Sequence, residues 1–168
     1  MKILLIAASL LVSSFVSAES YSFATGLRAM YYSNSAHCSV AVLEKWDCGE
    51  SCTKNPGVEQ VSPLINEAAG TYGFVGYNSV EKEIVVSFRG SVNIANWITN
   101  VNFLKEAYNG VAGAEVHKGF FEAYKGVRDQ VIGSVRALQR YHPSAKFIIT
   151  GHSLGGALAT FAAMDIKE

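Results

Sequence analysis

The sequence predicts an α/β domain with a largely parallel sheet, and three observations carry that expectation. Apolar and β-branched runs at 72–77, 83–88 and 146–150 read as strands. A long stretch of helical spacing, 120–141, separates the second run from the third, and a further helix begins at Leu154. Strand, helix, strand, helix is the order in which a parallel sheet is wound, because parallel neighbours need a crossover between them.

Taken from the start, Lys2, an apolar run over 3–16 and the small residues Val16-Ser17-Ala18 form a secretory signal peptide, 1–18. The run is shorter than the roughly 20 residues that span a bilayer. Residues 19–168 are then one partial domain, and 49% hydrophobic with 17% charged residues is enough to build a core. The formal net charge is +0, with no basic stripe, so no nucleic-acid partner is expected.

Phe23, Leu27, Met30 and Tyr31 recur at helical spacing, which predicts an opening helix over 22–32. The three cysteines, Cys38, Cys48 and Cys52, follow in a loop; a secreted destination makes disulfides plausible, with the pairing open. No second Cys or His pair stands at zinc-ligand spacing, so neither metal nor cofactor is expected. The turn residues Asn55-Pro56-Gly57 break the chain, and a weaker helix is expected over 61–69, ending at Gly70.

The strands 72–77 and 83–88 are separated by the polar segment 78–82, and Ile84-Val85-Val86 is continuous enough to be buried on both faces. In the long helix, Phe121, Tyr124, Val127, Val131, Val135 and Leu138 share one face, with Lys125, Arg128, Arg136 and Arg140 outside it. Pro143 stops it, and 146–150 reads as a third buried strand.

Directly after that strand stands Gly151-His152-Ser153-Leu154-Gly155, a G-x-S-x-G pentapeptide. Directly after the pentapeptide come the small and apolar residues Gly156-Ala157-Leu158-Ala159. Between a strand and a close-packed helix, the pattern makes a sharp turn that lifts the serine hydroxyl clear of the sheet, with glycines where side chains would collide. Ser153 is therefore the candidate nucleophile, and Gly151 and Gly155 are the elbow glycines. A helix-capping serine in a glycine turn is the bland alternative. His152, adjacent on a tight turn, points away from Ser153 and is expected to pack or hydrogen-bond beneath the elbow. Asp165 is expected to be a surface or helix-end carboxylate directed away from the nucleophile.

Ile84-Val85-Val86-Ser87-Phe88-Arg89-Gly90-Ser91, Asn96-Trp97, Val116-His117-Lys118-Gly119-Phe120 and Ile149–Ala157 together resemble the class 3 lipases, the filamentous-fungal triacylglycerol lipase and feruloyl esterase group. The resemblance covers about 72–166. It implies an α/β-hydrolase fold and acyl transfer through a serine ester, with an Asp and a His following the serine in chain order. The sequence has 4 histidines, and none of them follows Ser153. The chain is therefore expected to be an N-terminal fragment, truncated after the elbow and inactive by itself.

The resemblance also implies an oxyanion hole at Ser91 and Leu154, although Ser91 would equally serve as an N-cap. Ile94, Trp97, Ile98 and Val101 share one helical face, as in an ordinary core helix; in the family this position is a lid that contacts substrate at a lipid–water interface. His117 is expected to be a buried hydrogen-bonded histidine, and Arg89 a paired structural charge. The implied function is a secreted serine carboxylic ester hydrolase, most simply a triacylglycerol lipase. Alternatives are a catalytically inactive lipid-binding or interaction protein and a feruloyl-type esterase.

Overall fold

The computed structural model describes residues 22–91, 104–108 and 111–167. The signal peptide lies outside them, as do Ile94, Trp97 and Ile98.

Helix α1, Phe23–Ser35, starts at Ser22, whose Oγ accepts a hydrogen bond from the Thr25 N–H. The helix stands where the spacing put it, but the residues that set the spacing face out: Phe23 is 73% and Met30 52% exposed. Tyr32 and Ala36 supply its apolar contact instead. Two short helices follow, α2 (Val40–Leu43) and α3 (Glu50–Thr53). Around them Cys38 is bonded to Cys48, and Cys52 is left as a buried thiol whose pKa burial raises.

The helix expected over 61–69 is a strand, β1, Val58–Asn66. It runs antiparallel to β2 (Thr71–Asn78) through a turn in which Gly70 takes φ +64°. The β-branched Val58, Val61 and Ile65 favour the pleated backbone, and Pro63 is tolerated because β1 is an edge strand among the described residues. Tertiary pairing overrode a weak local pattern there.

β3 (Glu83–Phe88) pairs antiparallel with β2, and β6 (Lys146–Gly151) pairs parallel with β3. The sheet order is β1-β2-β3-β6, so the described sheet is mixed, and the expected parallel character is confined to the β3–β6 pair. A separate ribbon, β4 (Lys105–Ala107) with β5 (Glu115–His117), leads into helix α4, Lys118–Tyr141. Helix α5, Leu154–Lys167, leaves the end of β6.

Both faces of the sheet are covered. Val75, Ile84, Val86 and Phe88 pack against Tyr124, Val127, Val131 and Val135 of α4 and Leu158 and Ala162 of α5. Phe74 and Val85 point the other way, into a cluster with Tyr32, Ala36 and Leu43. Burial on both sides is why β3 reads as an unbroken apolar run. β6, at the sheet edge among the described residues, is only half-buried rather than fully buried.

At the far end of the sheet from the elbow, Glu83 is 3% exposed and accepts a 2.9 Å hydrogen bond from the Tyr32 hydroxyl. That hydroxyl in turn accepts a 2.7 Å bond from Asn78, and Arg28 lies 3.5 Å from the carboxylate. Burial, and then the Glu83 charge, push the Tyr32 phenol far above its ordinary pKa, so it stays a donor. Glu83→Ala removes the acceptor of the buried Tyr32 hydroxyl and leaves Arg28 with Glu81 alone, and is expected to cost about 3 kcal/mol, the low end for a broken buried pair because Arg28 remains partly exposed and keeps a partner. The urea midpoint of the variant measures this; an unshifted midpoint would show that the network does not tie α1 to the sheet.

Candidate active site

Two strands running the same way end side by side, and the site is built at that shared end. Phe88 at the end of β3 stands in register with Gly151 at the end of β6. Ser91 lies three residues past the first and Ser153 two past the second. Crevices at the carboxyl ends of parallel strands are where open α/β sheets bind ligands.

At the β6 end the chain reverses into α5 within two residues. Ser153 takes φ +55°, a left-handed backbone that costs a non-glycine residue energy and is typical of functional turns. Its side chain is exposed. Gly155 N–H donates to the His152 carbonyl at 2.9 Å and Gly156 N–H to the Ser153 carbonyl at 3.0 Å, which starts the helix. Leu154, its first residue, has no intrahelical acceptor for its own N–H, and this end of the helix carries positive partial charge.

The glycines are dictated by contact. A Cβ on Gly151 would fall on the backbone of Gly155, and one on Gly155 would fall on the Phe88 carbonyl. At Gly90 it would lie 2.7 Å from the His152 carbonyl oxygen. The end of β3 therefore presses backbone to backbone on the elbow, and Ser91 is the next residue after that contact.

Arg89 fixes that approach. Its N–H donates to the Tyr72 carbonyl at 2.8 Å, and its guanidinium lies 3.9 Å from the Tyr72 ring centroid. Among the described residues, the contact found for this structural charge is the face of an aromatic ring. His152 is exposed rather than tucked beneath the elbow, and with Met30, Tyr31, Ser33, Asn34 and His37 it lines a cleft of about 280 Å³. Burial first, then the Arg89 charge and the neighbouring His152, hold His37 below the ordinary histidine pKa. The Thr150 hydroxyl donates to the Ala29 carbonyl at 3.2 Å and ties α1 to β6 beside this cleft.

The other histidines are engaged elsewhere. His117 Nδ1 accepts from the Phe120 N–H at 3.3 Å and so caps α4, and it is half-buried. His142 stacks on Tyr77 with ring centroids 3.5 Å apart. Asp165 accepts from the Tyr124 hydroxyl at 2.6 Å and from Arg128 Nε at 2.7 Å, so this carboxylate clamps α4 to α5. The His37 cleft has no signature in the sequence, because α1 and the elbow are remote along the chain and are joined only by the fold.

The family model for Lipase (class 3) matches residues 85–168. A secreted mono- and diacylglycerol lipase 1 of Fusarium solani is 39% identical over 147 residues, covering 83% of this chain and 43% of the relative. Among solved structures, the lipase of Rhizopus microsporus var. chinensis superposes with a TM-score of 0.79 at 33% identity, over 84% of this chain and 50% of that one. A triacylglycerol lipase described as having a serine protease triad at its catalytic centre superposes with a TM-score of 0.72 at 32% identity, over 83% and 53% of the two chains. This chain thus spans about half the length of each of these three proteins.

Proposed function

The chain belongs to the class 3 lipase family and has its α/β-hydrolase fold, and on that premise we propose that it carries the nucleophile and oxyanion site of a secreted serine carboxylic ester hydrolase acting on acylglycerols. The observation that supports this best is the exposed Ser153 at φ +55° on the turn from β6 into α5, with the end of β3 pressed against it. In this reading Ser153 Oγ attacks the ester carbonyl carbon as a base takes its proton. The tetrahedral oxyanion is held by the N–H of Leu154 and by the N–H and hydroxyl of Ser91. The alcohol leaves with the proton, and water then hydrolyses the acyl-serine.

In this reading the base and its carboxylate partner are not among the described residues. None of the histidines described above hydrogen-bonds Ser153, and Asp165 is held by Tyr124 and Arg128. The segment holding Ile94, Trp97 and Ile98 serves as a lid in this reading, supported by its apolar face and its position one step past Ser91. Secretion through residues 1–18 is supported by relatives named as secreted lipases.

A fluorophosphonate ester probe applied to the protein with its downstream residues is expected to phosphonylate Ser153, mapped by peptide mass spectrometry. Labelling that persists unchanged in Ser153→Ala, or none at all, would refute the assignment and leave a lipid-binding protein as the alternative.

A further inference from the structure

Helix α1 and the elbow meet at a cleft whose polar groups lack partners in the fold. Ser33 is 7% exposed and lines the cleft, and its Oγ has no hydrogen-bond partner among the described residues. Buried hydroxyls are almost always paired, so an unpaired one at a cavity marks where a bound group supplies the partner. His37 and His152 line the same cleft, and the His152 ring lies against the end of β3, where a Cβ on Gly90 would stand 3.3 Å from its Nδ1. The residue before Gly90, Arg89, has a buried Nε that likewise has no hydrogen-bond partner among the described residues. We propose that this cleft is a binding site for a small oxyanion of the sulfate or phosphate class, held by the Ser33 hydroxyl and the imidazoles of His37 and His152.

The surrounding charge sets the sign of the ligand. The groups that act electrostatically on His37 are Arg89 at the end of β3 and His152 on the elbow, and with burial they hold its pKa below the ordinary histidine value. No carboxylate is among the described lining residues, so a cation would meet a positive field with nothing to offset it. An anion meets hydroxyl, imidazole and amide donors instead: Asn34 gives one amide hydrogen to Ser51 and keeps a second. Arg89 is not in the lining, so it contributes attraction at a distance rather than a contact. A neutral apolar guest would leave Ser33 Oγ buried without a partner. The cleft, about 280 Å³, is small for an organic ligand and ample for a tetrahedral ion. A bound anion favours the imidazolium form of His37 and so opposes the shift that Arg89 imposes; the ion therefore binds more tightly as pH falls.

The site stands apart from the hydrolase reading, since Ser153, Ser91 and Leu154 are not in its lining. In a histidine-labelled sample of the chain, sodium sulfate is expected to shift the His37 and His152 ring resonances saturably. It is also expected to raise the His37 pKa by about one unit, which corresponds to about tenfold tighter binding to the imidazolium form. Sodium chloride at the same ionic strength is expected to do neither. Ser33→Ala is expected to weaken sulfate about tenfold, the loss of one hydrogen bond to a charged group. Arg89→Gln is expected to raise the ligand-free His37 pKa and still weaken sulfate, and it keeps the comparison if Ser33→Ala alters the ligand-free spectrum.

Inorganic phosphate binding more tightly than methyl phosphate assigns the cleft to the free ion, and the reverse order assigns it to a phosphate ester; either supports the oxyanion site. The absence of a saturable shift with sulfate, an equal response to chloride, or wild-type affinity in both variants would overturn it. Saturation by zinc chloride in place of sulfate would also overturn it and make the two histidines a metal site.

Discussion

Ser153→Ala, placed in the protein with its downstream residues, is expected to lower kcat for a short-chain ester by about 10⁶ while leaving thermal stability unchanged. The size follows from the group lost. Without the hydroxyl no acyl-serine forms, and in a comparable serine hydrolase loss of the nucleophile alone costs as much as loss of the whole triad. The stability half follows from exposure: the hydroxyl is solvent-facing, and alanine keeps the Cβ that makes φ +55° costly, so the turn is no more and no less strained. Initial rates on p-nitrophenyl butyrate, with a melting curve on the same sample, measure both. Retention of a substantial rate would place the nucleophile elsewhere.

The elbow was legible in the sequence for a mechanical reason. Gly151, Ser153 and Gly155 sit where backbone meets backbone, and few residue types fit, so the pattern and the geometry carry the same information. The two-sided burial of Ile84-Val85-Val86 and the helical face from Tyr124 to Leu138 were legible because packing on a continuous layer imposes a period. What escaped depends on partners distant in sequence. β1 reads locally as a helix because its pairing with β2, which decides its conformation, leaves only a weak local pattern. The inward face of α1 differs from its apolar spacing because Arg28 and Tyr32 turn inward to reach Glu83, leaving Phe23 and Met30 outside. His37 and Ser33 meet His152 only through the tie between α1 and β6, so no spacing could have joined them.

The close approach of β3 to the elbow makes Gly155→Ala a severely disruptive single methyl. The added Cβ would fall on the Phe88 carbonyl oxygen and lie 3.1 Å from the Arg89 carbonyl carbon, and neither backbone group can swing aside as a flexible side chain would. Either α5 or the end of β3 has to move, and both carry parts of the proposed site, Leu154 on one and Ser91 just beyond the other. We expect a stability loss of about 3 kcal/mol, the upper range for overpacking, read from the urea midpoint. Catalysis should fall at least about 10²-fold in the protein with its downstream residues, since a displacement near 1 Å between nucleophile and oxyanion donors is enough for that. Gly133→Ala is the matched control: a Cβ there meets nothing within 4 Å, the position is exposed within α4, and the change should stabilise by up to about 1 kcal/mol. If the two alanines behaved alike, backbone contact between β3 and α5 would not be what aligns Ser91 with Ser153.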